Sequence, residues 1–250
     1  MFELAGTIRR DLATLDGRAV FALVYAAIGL TAINYLKDPK YLETILGQIG
    51  ALTAADLYAT SNLYALLWWS FISISFYFIV PVFVVVFIQK RTLSEIGLAL
   101  RIEPGFGRLL AACLAVMLPL VYLMSLTSSF AAKYPFFQVY DGSSYLSGSL
   151  IIWELGYFLQ FFGLEFFFRG FLLHSLKPAV GLYSIFVMTV PYTMIHFQKP
   201  MAETFAAIVA GLFLGWLSYK NGSIWLGFVL HCTVAFSMDV MALYNKGLLL

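Results

Sequence analysis

The sequence predicts an all-α protein, a polytopic transmembrane bundle of about seven helices, and three observations carry that prediction. Hydrophobic residues make up 62% of the 250 positions. Charged residues make up only 11%, against about a quarter in soluble domains. The apolar residues also gather into runs of roughly 20, the length a helix needs to cross about 30 Å of hydrocarbon. The lipid bilayer is therefore the expected partner of most of the surface, and function is expected in or near it. A net charge of +2, from 15 basic and 13 acidic residues, is too balanced and too sparse for a nucleic-acid surface, so no nucleic acid is expected as a partner.

Taken in order, the first 18 residues mix Glu3, Arg9, Arg10, Asp11, Asp16 and Arg18 ahead of an apolar stretch long enough to span. That pattern fits an uncleaved first helix better than a secretory signal. Spans are expected near 19–36, 63–88, 108–127, 149–174, 178–197, 202–219 and 222–245. After the first span, Asp38-Pro39 is a plausible helix start, and Leu42, Ile45, Leu46 and Ile49 share one side at helical spacing. This segment reads either as a helix lying flat on the outer surface or as a connector, Gly47 and Gly50 weakening the helix. The stretch 131–148 holds Pro135, Asp141, Gly142 and several Ser and Tyr residues and reads as an exposed outer connection. Cys113 and Cys232 lie far apart in apolar runs without metal-ligand spacing and read as small core residues. No repeat or low-complexity tract divides the chain, so residues 1–250 are expected to form a single membrane domain.

Orientation follows from Lys and Arg, which tend to stay on the cytoplasmic side. With the N-terminus inside, Arg9, Arg10, Arg18, Lys90, Arg91, Arg101, Arg108, Arg169, Lys177 and Lys220 lie toward the cytoplasm. Lys37, Lys40, Lys133, Lys199 and Lys246 lie outside. A multi-pass protein of the cell (plasma or inner) membrane with a cytoplasmic N-terminus is the expectation.

Ionisable groups at bilayer depth are costly and usually functional. Glu154, Glu165, Arg169, His174, His196, His231 and Asp239 fall there, all on spans four, five and seven. The first three spans then read as scaffold or substrate cradle. Glu165 and Arg169, four apart, stack on one face and can pair. Glu154 shares that face but lies roughly 16 Å along the axis, too far to share one proton-transfer site. His231 and Asp239 lie about two turns apart on nearly one face, and Tyr192 sits one turn before His196, able to orient its ring. A structural reading runs beside the functional one: Glu165 with Arg169 as a buried pair tying helices together, and each histidine as a satisfied core residue.

The stretch Gly163-Leu-Glu-Phe-Phe-Phe-Arg-Gly-Phe-Leu-Leu173, then Pro191-Tyr-Thr-Met-Ile-His196, then His231, resembles the three-motif core of the CPBP family. That family holds CAAX-prenyl-protease-like and bacteriocin-processing intramembrane proteases. Its pattern is Glu-Glu-x-x-x-Arg, Phe-x-x-x-His and His-x-x-x-Asn, each on its own transmembrane helix. The resemblance covers about 151–239, the expected catalytic core, and is supported by Phe168-Arg-Gly170 and Gly222-Ser-Ile-Trp225. Leu164 stands at the first Glu, Tyr192 at the Phe and Ala235 at the Asn. In the family the first Glu and the second-motif His are held to activate water, and the third-motif His and Asn to stabilise the oxyanion.

The resemblance implies a glutamate-type intramembrane endopeptidase with degenerate first and third motifs, hydrolysing a membrane-associated peptide or protein. Glu165 would take a proton from water, His196 would orient that water or share the base role, and His231 would donate toward the oxyanion. Arg169 and Tyr192 would support them; Asp239 would hold the His231 ring in place of the missing Asn, an expectation drawn from its spacing to His231 and not from the family pattern. No cofactor is expected. No metal is expected either, although His196, His231 and Glu165 could in principle make a three-ligand zinc site. The alternative is a catalytically inactive family member that binds a membrane partner or acts as a scaffold.

Overall fold

The computed structural model describes residues 11–50, 53–99, 102 and 105–249. Arg9, Arg10 and Arg101 of the charge count, and Glu3, lie outside them. Ten helical elements organise the described chain: α1 Gly17–Leu36, α2 Lys40–Gln48, α3 Ala54–Tyr58, α4 Leu63–Ile88, α5 Phe106–Ser125, α6 Ser128–Lys133, α7 Gly148–Val180, α8 Tyr183–Met194, α9 Met201–Asn221 and α10 Trp225–Asn245. Among these, α1, α4, α5, α7, α9 and α10 are long and apolar enough to cross a bilayer. The chain is a multi-pass membrane bundle.

Local chemistry sets several of the boundaries. Asp16 caps α1 by accepting from the backbone N–H groups of Arg18 and Ala19. Thr53 caps α3 in a reciprocal box with Asp56, and Thr92 with Glu95 does the same for the 3-10 turn Leu93–Ile96. In the exposed Thr92 box, the Thr92 N–H and hydroxyl and then Arg91 hold the Glu95 carboxyl below its ordinary range. Gly222 ends α9 with φ 68, a left-handed conformation that a residue without Cβ adopts freely.

The expected fifth span differs. Residues 178–180 finish α7, Gly181 breaks the chain with φ 57, and α8 has only 12 residues. At 1.5 Å per residue that is about 18 Å, well short of a bilayer. It nonetheless runs antiparallel to α9. Ile185 and Met188 face Gly215, Thr189 faces Gly211, and Thr204 Oγ1 donates to the His196 carbonyl just past the end of α8.

Contacts tie the connections together at two ends of the bundle. At one, Leu98 pairs with Ser223, Trp225 Nε1 donates to the Ala99 carbonyl (3.0 Å), and Lys177 Nζ donates to the Tyr219 carbonyl (2.8 Å). At the other, Ser61 pairs with Val139, Trp68 Nε1 donates to the Leu36 carbonyl (2.8 Å), and Tyr134 donates to Glu203 (2.8 Å). The connection at 131–148 is not simply exposed. Tyr134 and Phe137 are buried, and Asn62 holds this stretch by donating to the Phe136 carbonyl and accepting from the Gln138 N–H. Burial of these two aromatic rings is what draws the stretch inward. The stretch Asp141–Ser144 is exposed as expected.

The central aromatic cluster packs Tyr25 of α1 and Tyr77 of α4 against Phe167, Phe168 and Phe171 of α7. Those phenylalanines belong to a π-helical segment, Phe166–Leu172, inserted directly after Glu165. π turns recur at functional sites because they re-aim side chains. The loop Leu93–Leu98 presses onto this segment so closely that a Cβ on Gly170 would meet the Ile96 carbonyl, and one on Gly97 would meet the Gly170 Cα.

Candidate active site

Three helices bring the sequence-nominated groups together. Glu165 is the last α-helical residue before the π segment of α7, and Arg169 lies within that segment; both are fully buried. Arg169 Nη1 donates to Glu165 Oε1 at 3.0 Å. A buried guanidinium without such a partner would be severely penalised, so each group justifies the other's place. The guanidinium carbon also lies 3.8 Å from the centre of the Tyr192 ring, a cation–π contact from α8.

His231 of α10 brings Nδ1 to 2.7 Å from the same Oε1. The ring N–H is not aimed along that line, so this is a close contact and not a formed hydrogen bond. On the ring's other side Nε2 meets the Tyr192 hydroxyl at 3.1 Å, and Phe161 stacks on its face at 5.3 Å with 5° between planes. His196, in the turn after α8, places Nδ1 2.9 Å from the Tyr192 carbonyl. A carbonyl only accepts, so Nδ1 carries the proton and Nε2 keeps its lone pair. One residue, Tyr192, thus touches both imidazoles, through its hydroxyl and through its backbone.

Other nominations fall elsewhere. Asp239 does not hold His231. It is buried beside Glu154 and the Trp153 indole, toward the end of the bundle that contains Glu203. Neither Asp239 oxygen has a well-formed hydrogen bond among the described residues. The reason is helical geometry: eight residues at 100° each turn Asp239 about 80° away from His231 and carry it about 12 Å along the axis. Glu154 is remote from Glu165, as the spacing implied, and pairs across the helix interface with Asp239 instead. His174 Nε2 lies 3.2 Å from Ser218 Oγ, which donates to the Arg169 carbonyl at 2.8 Å, so this histidine braces the π segment. Leu164 packs into the aromatic cluster, and Ala235 is buried against Trp153, Tyr157 and Phe161. Among the described residues no three His, Cys, Asp or Glu are grouped to hold a metal ion, so the three-ligand arrangement is not formed.

Sequence reading overlooked Glu203, which sits in the first turn of α9, pairs with Lys199 (2.6 Å) and accepts from Tyr134. Its i−4 lysine was the available signal. It also overlooked Gly227, one turn before His231.

Residues 146–237 match a family model described as Rce1-like, type II CAAX prenyl endopeptidase Rce1-like. The match takes in Glu165, Arg169, Tyr192, His196 and His231. This segment is similar to that family of endopeptidases, in keeping with the motif resemblance read from the sequence. No curated protein and no solved structure matches the chain.

Proposed function

We propose that the chain is an intramembrane endopeptidase that hydrolyses a membrane-associated peptide or protein with water at a centre formed by His196, His231 and Glu165. The observation that supports it is the meeting of three separate helices at one polar centre: Tyr192 joins His196 and His231 through the 2.9 and 3.1 Å contacts, and His231 reaches Glu165 at 2.7 Å. Such a centre is expensive to hold in a membrane and needs a compensating use.

The tautomer of His196 suits it to the base role. Its Nε2 takes a proton from water as the hydroxide oxygen bonds to the scissile carbonyl carbon. The carbonyl oxygen becomes an oxyanion, and His231 Nε2–H donates to it once the Tyr192 hydroxyl turns aside. The proton on His196 then passes to the leaving nitrogen as the C–N bond breaks, giving a carboxylic acid and an amine. Fully buried and engaged by Arg169, Glu165 serves in this scheme as the negative group that orients the His231 ring from its Nδ1 side. That differs from the direct proton transfer expected of it from the sequence. Arg169 holds Glu165, and Tyr192 holds both rings.

A second reading, a family member that binds a membrane partner without hydrolysis, is favoured by one observation. Leu164, where the family has a carboxylate, is packed among aromatic rings, and Glu165 beside it has no exposed surface. Orientation belongs to the same proposal. Arg91, Lys177 and Lys220 at one end, against Lys37, Lys133 and Lys199 at the other, support a cytoplasmic N-terminus in the cell membrane.

The deciding experiment compares new protein N-termini in membranes of the native host carrying the unmodified chain or His196→Ala at equal abundance. Cleavage products that disappear with His196→Ala support the protease and reveal its cut sites. Coincident profiles under conditions that require the protein leave the binding reading in its place.

A further inference from the structure

Glu165 Oε1 is engaged by Arg169 and His231, whereas Oε2 has no hydrogen-bond partner among the described residues. What faces Oε2 is the backbone of α10 at Gly227. A Cβ built on Gly227 would collide with Glu165 Oε2 and lie 2.8 Å from its Cδ and 3.5 Å from Oε1; the three nearest atoms all belong to this one carboxylate. Other tight helical glycines of the bundle differ in what they admit. Gly163 faces Ile74 and Tyr77, Gly211 faces Thr189 and Tyr192, and Gly215 faces Met188 and Ile185. Those serve close helix packing of the kind small residues permit in membranes. Gly227 admits a charged group instead.

Gly227 and His231 are four apart on α10 and so lie one above the other on the same face. That face offers Glu165 a recess and, one turn on, an imidazole.

We infer that Gly227 is a positioning residue: the side chain it lacks is the seat that aims Glu165 Oε1 at His231. This rests on the proposed proteolytic role only for its effect on rate; the seat itself is a statement about geometry. Any larger residue at 227 pushes the carboxylate out, and His231 loses the negative charge beside Nδ1 while its Tyr192 contact remains.

The test reads the rings directly. The chain has three histidines, so full-length protein labelled with 15N-histidine gives a spectrum that single His variants can assign. In Gly227→Ala the His231 ring signals are expected to move, while those of His174, which bonds Ser218, stay in place. Chain-dependent cleavage in host membranes is expected to fall about 100-fold, the scale of loss when a catalytic group is displaced by about 1 Å. If Gly227→Ala accumulates poorly, adding Glu165→Asp, one methylene shorter, makes room for the methyl and is expected to restore accumulation. His231 signals that stay unmoved in Gly227→Ala, cleavage that stays at the unmodified level, or a folding defect that Glu165→Asp leaves untouched would each overturn the inference. A moved His231 signal in a protein whose unmodified form cleaves nothing keeps the seat and removes the protease reading.

Discussion

The Tyr192 hydroxyl lies 3.1 Å from His231 Nε2, and the same residue's carbonyl receives His196 Nδ1 at 2.9 Å. One tyrosine on a short helix therefore aligns two rings that belong to different segments. Tyr192→Phe removes the hydroxyl and leaves the backbone contact and the ring under Arg169. Since a neutral hydrogen bond contributes about 0.5–1.5 kcal/mol, substrate cleavage is expected to slow by roughly 2- to 10-fold. The thermal midpoint of the purified protein should barely change. A variant that cleaves at the full rate means that Tyr192 acts on His196 alone.

Arg169 and Glu165 are expected to fail singly and recover together. Arg169→Met leaves a fully buried carboxylate without its cation, a loss of about 3–5 kcal/mol, which should appear as poor accumulation and a lowered thermal midpoint. Adding Glu165→Gln removes the uncompensated charge and should return most of that stability without returning cleavage. Recovery of both would show that the pair is structural only.

Asp239 gives the opposite expectation. It is buried beside Glu154, and neither of its oxygens has a hydrogen-bond partner among the described residues, so its polarity is poorly compensated there. Asp239→Asn is therefore expected to leave cleavage unchanged and to raise unfolding stability by about 1 kcal/mol, measured by thermal unfolding in detergent. Loss of cleavage with stability intact would mean that Asp239 reaches the His231 centre after all.

Gly170 tests the clamp on the π segment. Its would-be Cβ meets the backbone oxygen of Ile96, which has no flexible end to yield. Gly170→Ala is expected to cost about 1–3 kcal/mol and to open the loop Leu93–Leu98 to added protease. A loop that stays protected would show that the segment can shift at little cost.

Much of the fold was legible in the sequence, because hydrocarbon thickness imposes one length on apolar runs, and the six long spans were each located to within a few residues except at the far end of α7. The pairing of Glu165 with Arg169 was legible for an equally simple reason, the one-turn neighbourhood of residues four apart. What escaped were features that composition does not encode. Residues 178–197 are mostly apolar, so nothing in their hydropathy showed that Gly181 would split them and leave α8 at 12 residues. Asp239 misled because two helical turns sound like one face, whereas the residual 80° rotation delivers it to Glu154. Gly227 was silent because a missing side chain reveals its purpose only when the group occupying its space is known.

The brevity of α8 carries the membrane itself into the chemistry. His196 hangs just beyond a helix about 18 Å long, while its neighbours α7 and α9 are long enough to cross. Lipids beside α8 must shorten or tilt to meet it, a mismatch that costs a fraction of a kcal/mol per Å. A bilayer meets its shortest apolar helix on the flank that carries the proposed base, so acyl-chain length is expected to bear on this side of the bundle more than on any other.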